Sequence, residues 1–326
     1  MSQNYYYDFK ELIVAIVSTK TGLALQIYAK TIAAIKEKNV FKELCTVQTI
    51  TAGYSHRFNV MGGGIDTDVS TLTLGGSVST SQLSVNKRDI TVDRTIVSRK
   101  TIDNWERKAA NFDMVAAAVD QNATSMAIKI DKLCIAQLDA AMLEDQLLAE
   151  DGSGKVIQDT AGAVQNAVIN SGSTSEARGD ALIDALFAGN SIMDEKDQVG
   201  EQRYFVTTPT HYDKLVLSKK GVNSDYNSGN NGSIADGNIL KVDSLMVLKS
   251  NHLTVTGLAS QGAGEALEGM TLVGWLFTKD VIGITELIGV NTDEWENKEE
   301  KVYYTDVEYA AGFGVLNPAS LVAIAY

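Results

Sequence analysis

The sequence predicts an α+β fold built around a protruding hairpin and one very long helix, and three observations carry that prediction. From Tyr54 to Thr101 the chain is rich in Thr, Ser, Val and Gly and contains no proline. From Phe112 onward the pattern changes to a period near 3.6. Hydrophobic residues fall at Phe112, Val115, Val119, Ala123, Met126, Ile130, Leu133, Cys134, Leu138 and Ala141, in steps of mostly three and four. Beyond Ser175 helical and extended patterns alternate, as in a compact mixed lobe. If helical to Ala149, the second stretch is about 57 Å long at 1.5 Å per residue, well beyond an average globular helix. A hairpin too polar to form its own core, tied to a spine that long, predicts a subunit completed by its neighbours.

Each element follows in order. Residues 1–50 read as an N-terminal arm. Within it Gly22 to Val40 holds Leu25, Tyr28, Ile32 and Ile35 at helical spacing, and Lys36-Glu37-Lys38 gives a basic end that suits the helix dipole. The cluster Tyr5-Tyr6-Tyr7 with Phe9 needs burial, which on a terminus is often against another subunit. Residues 51–101 form the hairpin, where Ile90, Val92 and Ile96 alternate with Thr91, Asp93 and Thr95 in a period of two. Gly62-Gly63-Gly64 and Gly75-Gly76 are its flexible points. The charges Lys87, Arg88, Asp89, Asp93, Arg94, Arg99 and Lys100 are mixed in sign, which blunts edge aggregation and permits specific salt links.

A short helix over 102–110 begins at Asp103, with Glu106 three residues on, and Asn111 is the expected cap of the long helix. Glu144, Asp145, Glu150 and Asp151 oppose the dipole at its far end. Either the helix stops near Met142 or a cation such as Lys155 answers them. Asp151 to Ser175 is Gly/Ser-rich and marks a boundary between lobes. A helix is predicted over 177–195. Tyr204-Phe205-Val206-Thr207-Thr208 reads as a buried strand ended by Pro209, and Thr210 is the expected cap of a helix to Ser218. Residues 219–233, KKGVNSDYNSGNNGS, form a polar loop. Strands at 239–249, 271–278, 301–310 and 320–325 complete the lobe.

The composition narrows the function. With 326 residues and 44 % hydrophobic content, the chain can bury a core as one large domain or two lobes. A net charge of −13 argues against a general nucleic-acid binder, because neutralising phosphates takes Lys/Arg clusters. Cys45 and Cys134 read as reduced thiols of a cytosolic protein, and neither a membrane span nor a signal peptide is expected. His56, His211 and His252 lack ligand spacing, and HExxH, CxxC and GxSxG motifs are all missing. Met61-Gly62-Gly63-Gly64 lacks the GK[ST] of a phosphate loop and reads as a hinge. Asp66-Thr67-Asp68 reads as a solvated loop, and Asn122-Ala-Thr and Asn231-Gly-Ser match the glycosylation pattern by chance. No catalytic, cofactor-binding or metal-ligating residue is nominated.

The order of arm, hairpin, short helix, spine and mixed lobe resembles the Hong Kong 97 (Johnson) fold of tailed-phage major capsid proteins, most similarly those of short-tailed podoviruses of the autographivirus type. The resemblance rests on His56-Arg57-Phe58, Lys87-Arg88-Asp89-Ile90-Thr91-Val92-Asp93 and Phe112-Asp113. It continues through Arg203-Tyr204-Phe205-Val206-Thr207-Thr208-Pro209 with Tyr212 and Leu215, then Gly237-Asn238-Ile239 with Val242 and Ser250-Asn251-His252-Leu253. Gly314-Val315-Leu316-Asn317-Pro318-Ala319 resembles the family's final turn.

The resemblance implies an arm (1–50), an E-loop hairpin (51–101), a peripheral domain (102–175) with the spine at about 112–149, an axial domain (176–310) and a closing strand (311–326). It implies self-assembly as hexamers and pentamers into an icosahedral head, with scaffolding protein and portal as partners. Double-stranded DNA would be enclosed without specific binding, no membrane would be involved, and the virion would be assembled in a bacterial cytoplasm. Arg57, Lys87, Arg88, Asp89, Asp93, Arg94 and Arg99 would carry the E-loop's contacts with the next subunit. Lys219, Asn223, Asp225, Tyr226, Asn227 and Asn230 would meet around the capsomer axis. The rival readings are an encapsulin-type compartment, which shares the fold, a soluble α/β enzyme or binding module, and an extracellular adhesin.

Overall fold

The computed structural model describes residues 31, 39–61, 74, 85–110, 113–150, 154–198, 202–218, 232–233, 238–239, 241–253 and 271–326. The expectations for residues 1–30, for the hairpin tip and for the polar loop 219–231 fall outside these. In chain order the strands and helices are β1 (Thr46–Thr49), β2 (Ser55–Met61), β3 (Val85–Thr91), β4 (Thr95–Asp103), α1 (Asn104–Ala109), α2 (Met114–Ala141), β5 (Leu147–Leu148), β6 (Val156–Gln158) and β7 (Gly162–Gln165). There follow α3 (Val168–Ser171), α4 (Ser175–Glu195), β8 (Tyr204–Thr207), α5 (Pro209–Leu217), β9 (Gly232–Ser233), β10 (Asn238–Ile239), β11 (Lys241–Val242), β12 (Leu245–Lys249), β13 (Leu272–Phe277), β14 (Ile282–Asn297), β15 (Val302–Val315) and β16 (Leu321–Ala325).

The chain divides into two compact units. The first comprises residues 1–40, 92–131 and 286–312; the second holds 41–91, 132–285 and 313–326. In the first, β15 lies between β14 and β4. It pairs antiparallel with β4 from Val302↔Asp103 to Ala310↔Thr95. Asp103 caps α1 by accepting from the Trp105 amide at 2.7 Å, as its place before a helical run predicts. The N-terminal half of α2 is bolted to the sheet by a buried amide. Asn122 Nδ2 donates to the Thr305 carbonyl and hydroxyl at 3.0 and 3.1 Å, and its Oδ1 accepts from Ser98 Oγ at 3.0 Å. The residue that matched a glycosylation pattern is therefore fully buried. Replacing Asn122 with alanine strands those partners, and an unsatisfied buried polar group costs about 1–3 kcal/mol. Urea titration of Asn122→Ala should show a loss of that order.

The second unit is built on a six-stranded sheet in the order β11-β12-β8-β13-β16-β7. β12–β8 and β16–β7 are parallel, and the other pairings are antiparallel. Every residue of β8, β13 and β16 is buried, the reading a continuous apolar run invites. Leu182 and Leu186 of α4, Leu215 of α5, and Phe205, Leu276 and Ile324 of the sheet share one core. Helix α4 crosses α5 closely at Gly179, where an added Cβ would lie 2.2 Å from the Lys214 carbonyl oxygen.

Several expectations need correction. Helix α2 is capped by Asp113, which accepts from Val115 and Ala116 at 3.1 Å each, while Asn111, the expected cap, lies outside the described residues. It ends at Ala141, so the earlier of the two expected stops is the real one. At 28 residues it is about 42 Å long. Thr208, not Thr210, precedes α5, with Pro209 in the first turn, where its missing amide hydrogen costs nothing. The returning strand of the hairpin breaks at 92–94, so β4 leaves β2 and joins β15 instead.

Candidate assembly interface

The hairpin is a two-stranded ribbon of β2 and β3, in the register Ser55↔Thr91 to Met61↔Val85. A lone ribbon is marginal in water, so what holds this one matters. Arg57 sits directly opposite Asp89 and grips it through two hydrogen bonds, Nε to Oδ1 at 2.7 Å and Nη2 to Oδ2 at 2.8 Å. That fork ties strand to strand, and the Arg57 hydrogen bond holds the Asp89 carboxyl below its ordinary pKa.

Lys87 and Arg88 turn away from the ribbon, onto the segment that follows α2. Lys87 Nζ meets Glu150 at 3.1 Å, and the Lys87 amide donates to the same carboxylate at 3.0 Å. These hydrogen bonds hold Glu150 below the usual carboxylate range. Arg88 Nη2 donates to Glu144 at 2.9 Å, while its Nε is buried without an acceptor. Asn86 Nδ2 donates to the Leu148 carbonyl at 2.8 Å, and the Glu150 amide donates to the Val85 carbonyl at 3.3 Å. Val60 packs on Leu147, Ala149 and Ile157. Two of the four acids beyond the end of the spine, Glu144 and Glu150, are thus answered by hairpin bases.

Ile90 anchors the root. It is only 4 % exposed, seated where the sheet strands present glycines instead of side chains. A Cβ on Gly283 would lie 2.7 Å from Ile90 Cδ1, and one on Gly314 would lie 2.8 Å from its Cγ1. Leu316 closes the same seat against Gly283.

The remaining nominated charges sit elsewhere. Asp93 and Arg94 pair with each other at the strand break, Nε to Oδ1 at 2.9 Å. Arg99 belongs to β4 in the first unit, where it forks onto Asp306 at 2.7 and 2.6 Å. Its guanidinium lies 4.9 Å from the Trp295 ring centre and 6.0 Å from that of Tyr304, and these two rings stack on each other. Lys219, Asn223, Asp225, Tyr226, Asn227 and Asn230 lie outside the described residues. Sequence reasoning missed Glu144 and Glu150 as partners, and it missed the glycine seat of Ile90. The acidic run that opposes the dipole at the end of the long helix was the available signal for the first two.

Other chemistry is sparse. Among the described residues no group of three or more His, Cys, Asp or Glu could hold a metal ion, and no helix is long and apolar enough to cross a membrane. Cys45 and Cys134 are buried and not joined in a disulfide. His211 is buried, with Nδ1 at 2.8 Å from Thr208 Oγ1, and burial, aided by nearby Lys214, lowers its pKa to about 4. Because the folded value lies below the unfolded 6.5, its contribution is complete above pH 6.5 and is lost as pH falls towards 4. Denaturation of His211→Asn across pH 4–7 should therefore show a flatter acid limb than the wild type.

A family model described as Gp10A-like major capsid protein matches residues 73–325. The chain belongs to that family. This capsid protein also shares its fold with solved shells. The capsid of cyanophage P-SCSP1u matches with a TM-score of 0.69 at 22 % identity, covering 88 % of both chains. The mature capsid of bacteriophage PhiM1 matches at 0.66 and 17 % identity, covering 88 % of this chain and 87 % of that one. A virus-like particle from Pyrococcus furiosus matches at 0.57 and 11 % identity, covering 93 % and 100 %. No curated protein sequence matches the chain. The fold is the Hong Kong 97 type that the order of elements implied, and the protein is a structural shell component, not an enzyme.

Proposed function

We propose that this capsid protein builds the icosahedral head of a short-tailed phage, as hexamers and pentamers around packaged double-stranded DNA. The observation that carries the reading is the family match over 73–325 together with a ribbon, β2–β3, that forms a separate two-stranded sheet. The E-loop beyond Met61 and Val85 reaches the adjacent subunit, and the loop at 219–233 gathers at the capsomer axis. Arg57, Asp89, Asp93, Arg94 and Arg99, all solvent-accessible at the surface, contribute charge at the subunit boundary. Exposed apolar side chains support the reading: Trp105 is 79 % exposed, and Leu143, Leu148 and Val156 are also open to solvent. An interface between copies would cover them. Scaffolding protein and portal direct assembly in the host cytoplasm. The net charge of −13 keeps the shell from adhering to DNA.

Size-exclusion chromatography with negative-stain imaging of the purified chain tests this. Capsomers or closed shells are the expected result. A 35.1 kDa species that stays monomeric at high concentration across salt conditions would overturn it.

A further inference from the structure

We infer that the hairpin is a stiff lever held by a releasable ionic latch, with Ile90 as its pivot and Glu144 and Glu150 as the catches. Four observations lead there.

The first is the contrast between the two kinds of ion pair. Within the ribbon Arg57 and Asp89 are joined by two parallel hydrogen bonds, the geometry that best resists shear. Between ribbon and body, Arg88 reaches Glu144 through one hydrogen bond and leaves its Nε buried without an acceptor. Lys87 meets Glu150 as a flexible point charge. The lever is therefore tight internally and more weakly tied to what it rests on.

The second is the position of the catches. Glu144 and Glu150 flank β5, directly after the spine helix ends at Ala141. Asn86 and Val85 bond to the backbone of the same short segment. All the polar ties between β3 and this segment run through residues 85–88, so they can release together.

The third is the pivot. Ile90 lies two residues from Arg88 and is seated over Gly283 and Gly314. A branched apolar side chain on bare backbone has no directional bond to break when it turns. The fourth is that both strands of the ribbon join the body through irregular chain. Gly53, with φ +88°, precedes β2, and 92–94 follow β3. A Cβ at Gly53 would meet nothing within 4 Å, so glycine there serves the backbone turn rather than packing.

The latch sets the hairpin's direction from within its own chain, before a second copy arrives. Release, together with the parting of Val60 from Leu147, Ala149 and Ile157, lets the ribbon swing about Ile90 without unfolding. The consequence for assembly rests on the shell reading above; the latch itself does not.

Charge exchange tests it. Full-length wild type, Arg88→Glu, Glu144→Arg, the double variant carrying both, and the milder Glu144→Gln are compared by amide hydrogen exchange over 85–91 and by negative-stain imaging. Each single change should speed exchange in 85–91 by about tenfold, as loss of a local tie does, and lower the yield of closed shells. The double variant should recover both. Unchanged exchange in the single variants, including Glu144→Gln, or a double variant no better protected than either single, would overturn the latch. A wild type that never closes shells while the exchange pattern holds removes the shell reading and leaves the latch standing.

Discussion

Replacing Ile90 with alanine should free the hairpin while leaving the six-stranded sheet intact. Ile90 is nearly fully buried, yet it belongs to a ribbon that forms its own two-stranded sheet. Truncating a buried isoleucine costs about 2–5 kcal/mol. Here the loss falls on local opening of β3 rather than on the core shared by α4, α5 and the sheet. Exchange of the amides in 85–91 should rise by roughly one and a half to three and a half orders of magnitude, as that free energy converts, while the main thermal transition moves little. Closed shells should be scarce. Gly314→Ala offers an independent check, because its methyl would press on Ile90 Cγ1 from the other side of the seat. If Ile90→Ala lowered the main transition as much as a core truncation does, the hairpin would be part of the core and not a lever on it.

Arg203→Met should be strongly destabilising although Arg203 lies outside the hydrophobic core. Arg203 is only 9 % exposed. Its Nη2 donates to Asp194 Oδ1 and to the Gln198 carbonyl, both at 2.6 Å, and its Nη1 donates to the Asn190 side chain and carbonyl. These bonds fasten the C-terminal turns of α4 to the start of β8. The Asp194 side chain is more than half exposed, so the cost of removing the arginine falls on the stranded acceptors at Asn190 and Gln198, about 1–3 kcal/mol, and methionine restores the volume without the donors. Urea titration should show the midpoint falling accordingly. A change below about 1 kcal/mol, the scale of an exposed pair, would mean that the network is solvated and carries little.

Much of this molecule could be read before its coordinates. The stripe from Val115 to Ala141 announced α2, because a 28-residue helix repeats its signal many times. The run Arg203–Pro209 announced a buried strand and a helix start. What escaped were pairings between distant segments. β4 alternates as cleanly as β3, so nothing local says that one pairs with β2 and the other with β15. β14 was missed because its second half, Asn291–Asn297, is dense in Asp, Glu and Asn, which local propensity assigns to loops. The latch escaped for a related reason. Arg88 and Glu144 are 56 residues apart, and charge alone names no partner at that distance. The glycine seat was invisible because the absence of a side chain leaves no periodic signal.

The pairing of β4 with β15 has a consequence for how the protein is made. Residues 95–103 leave the ribosome about 200 residues before the strand that covers them. At 5–20 residues per second that is an interval of roughly 10–40 s, during which β4 has no neighbour on that side. Its uncovered Ile96, Val97 and Ile102 would tend to recruit other nascent chains in that time. Ser98, Arg99, Lys100 and Thr101 separate Ile96 and Val97 from Ile102 within β4, and a charge inside such a window lowers its tendency to aggregate. For a protein that must be produced in many copies at once inside one cell, solubility before completion is as much a design requirement as the finished shell.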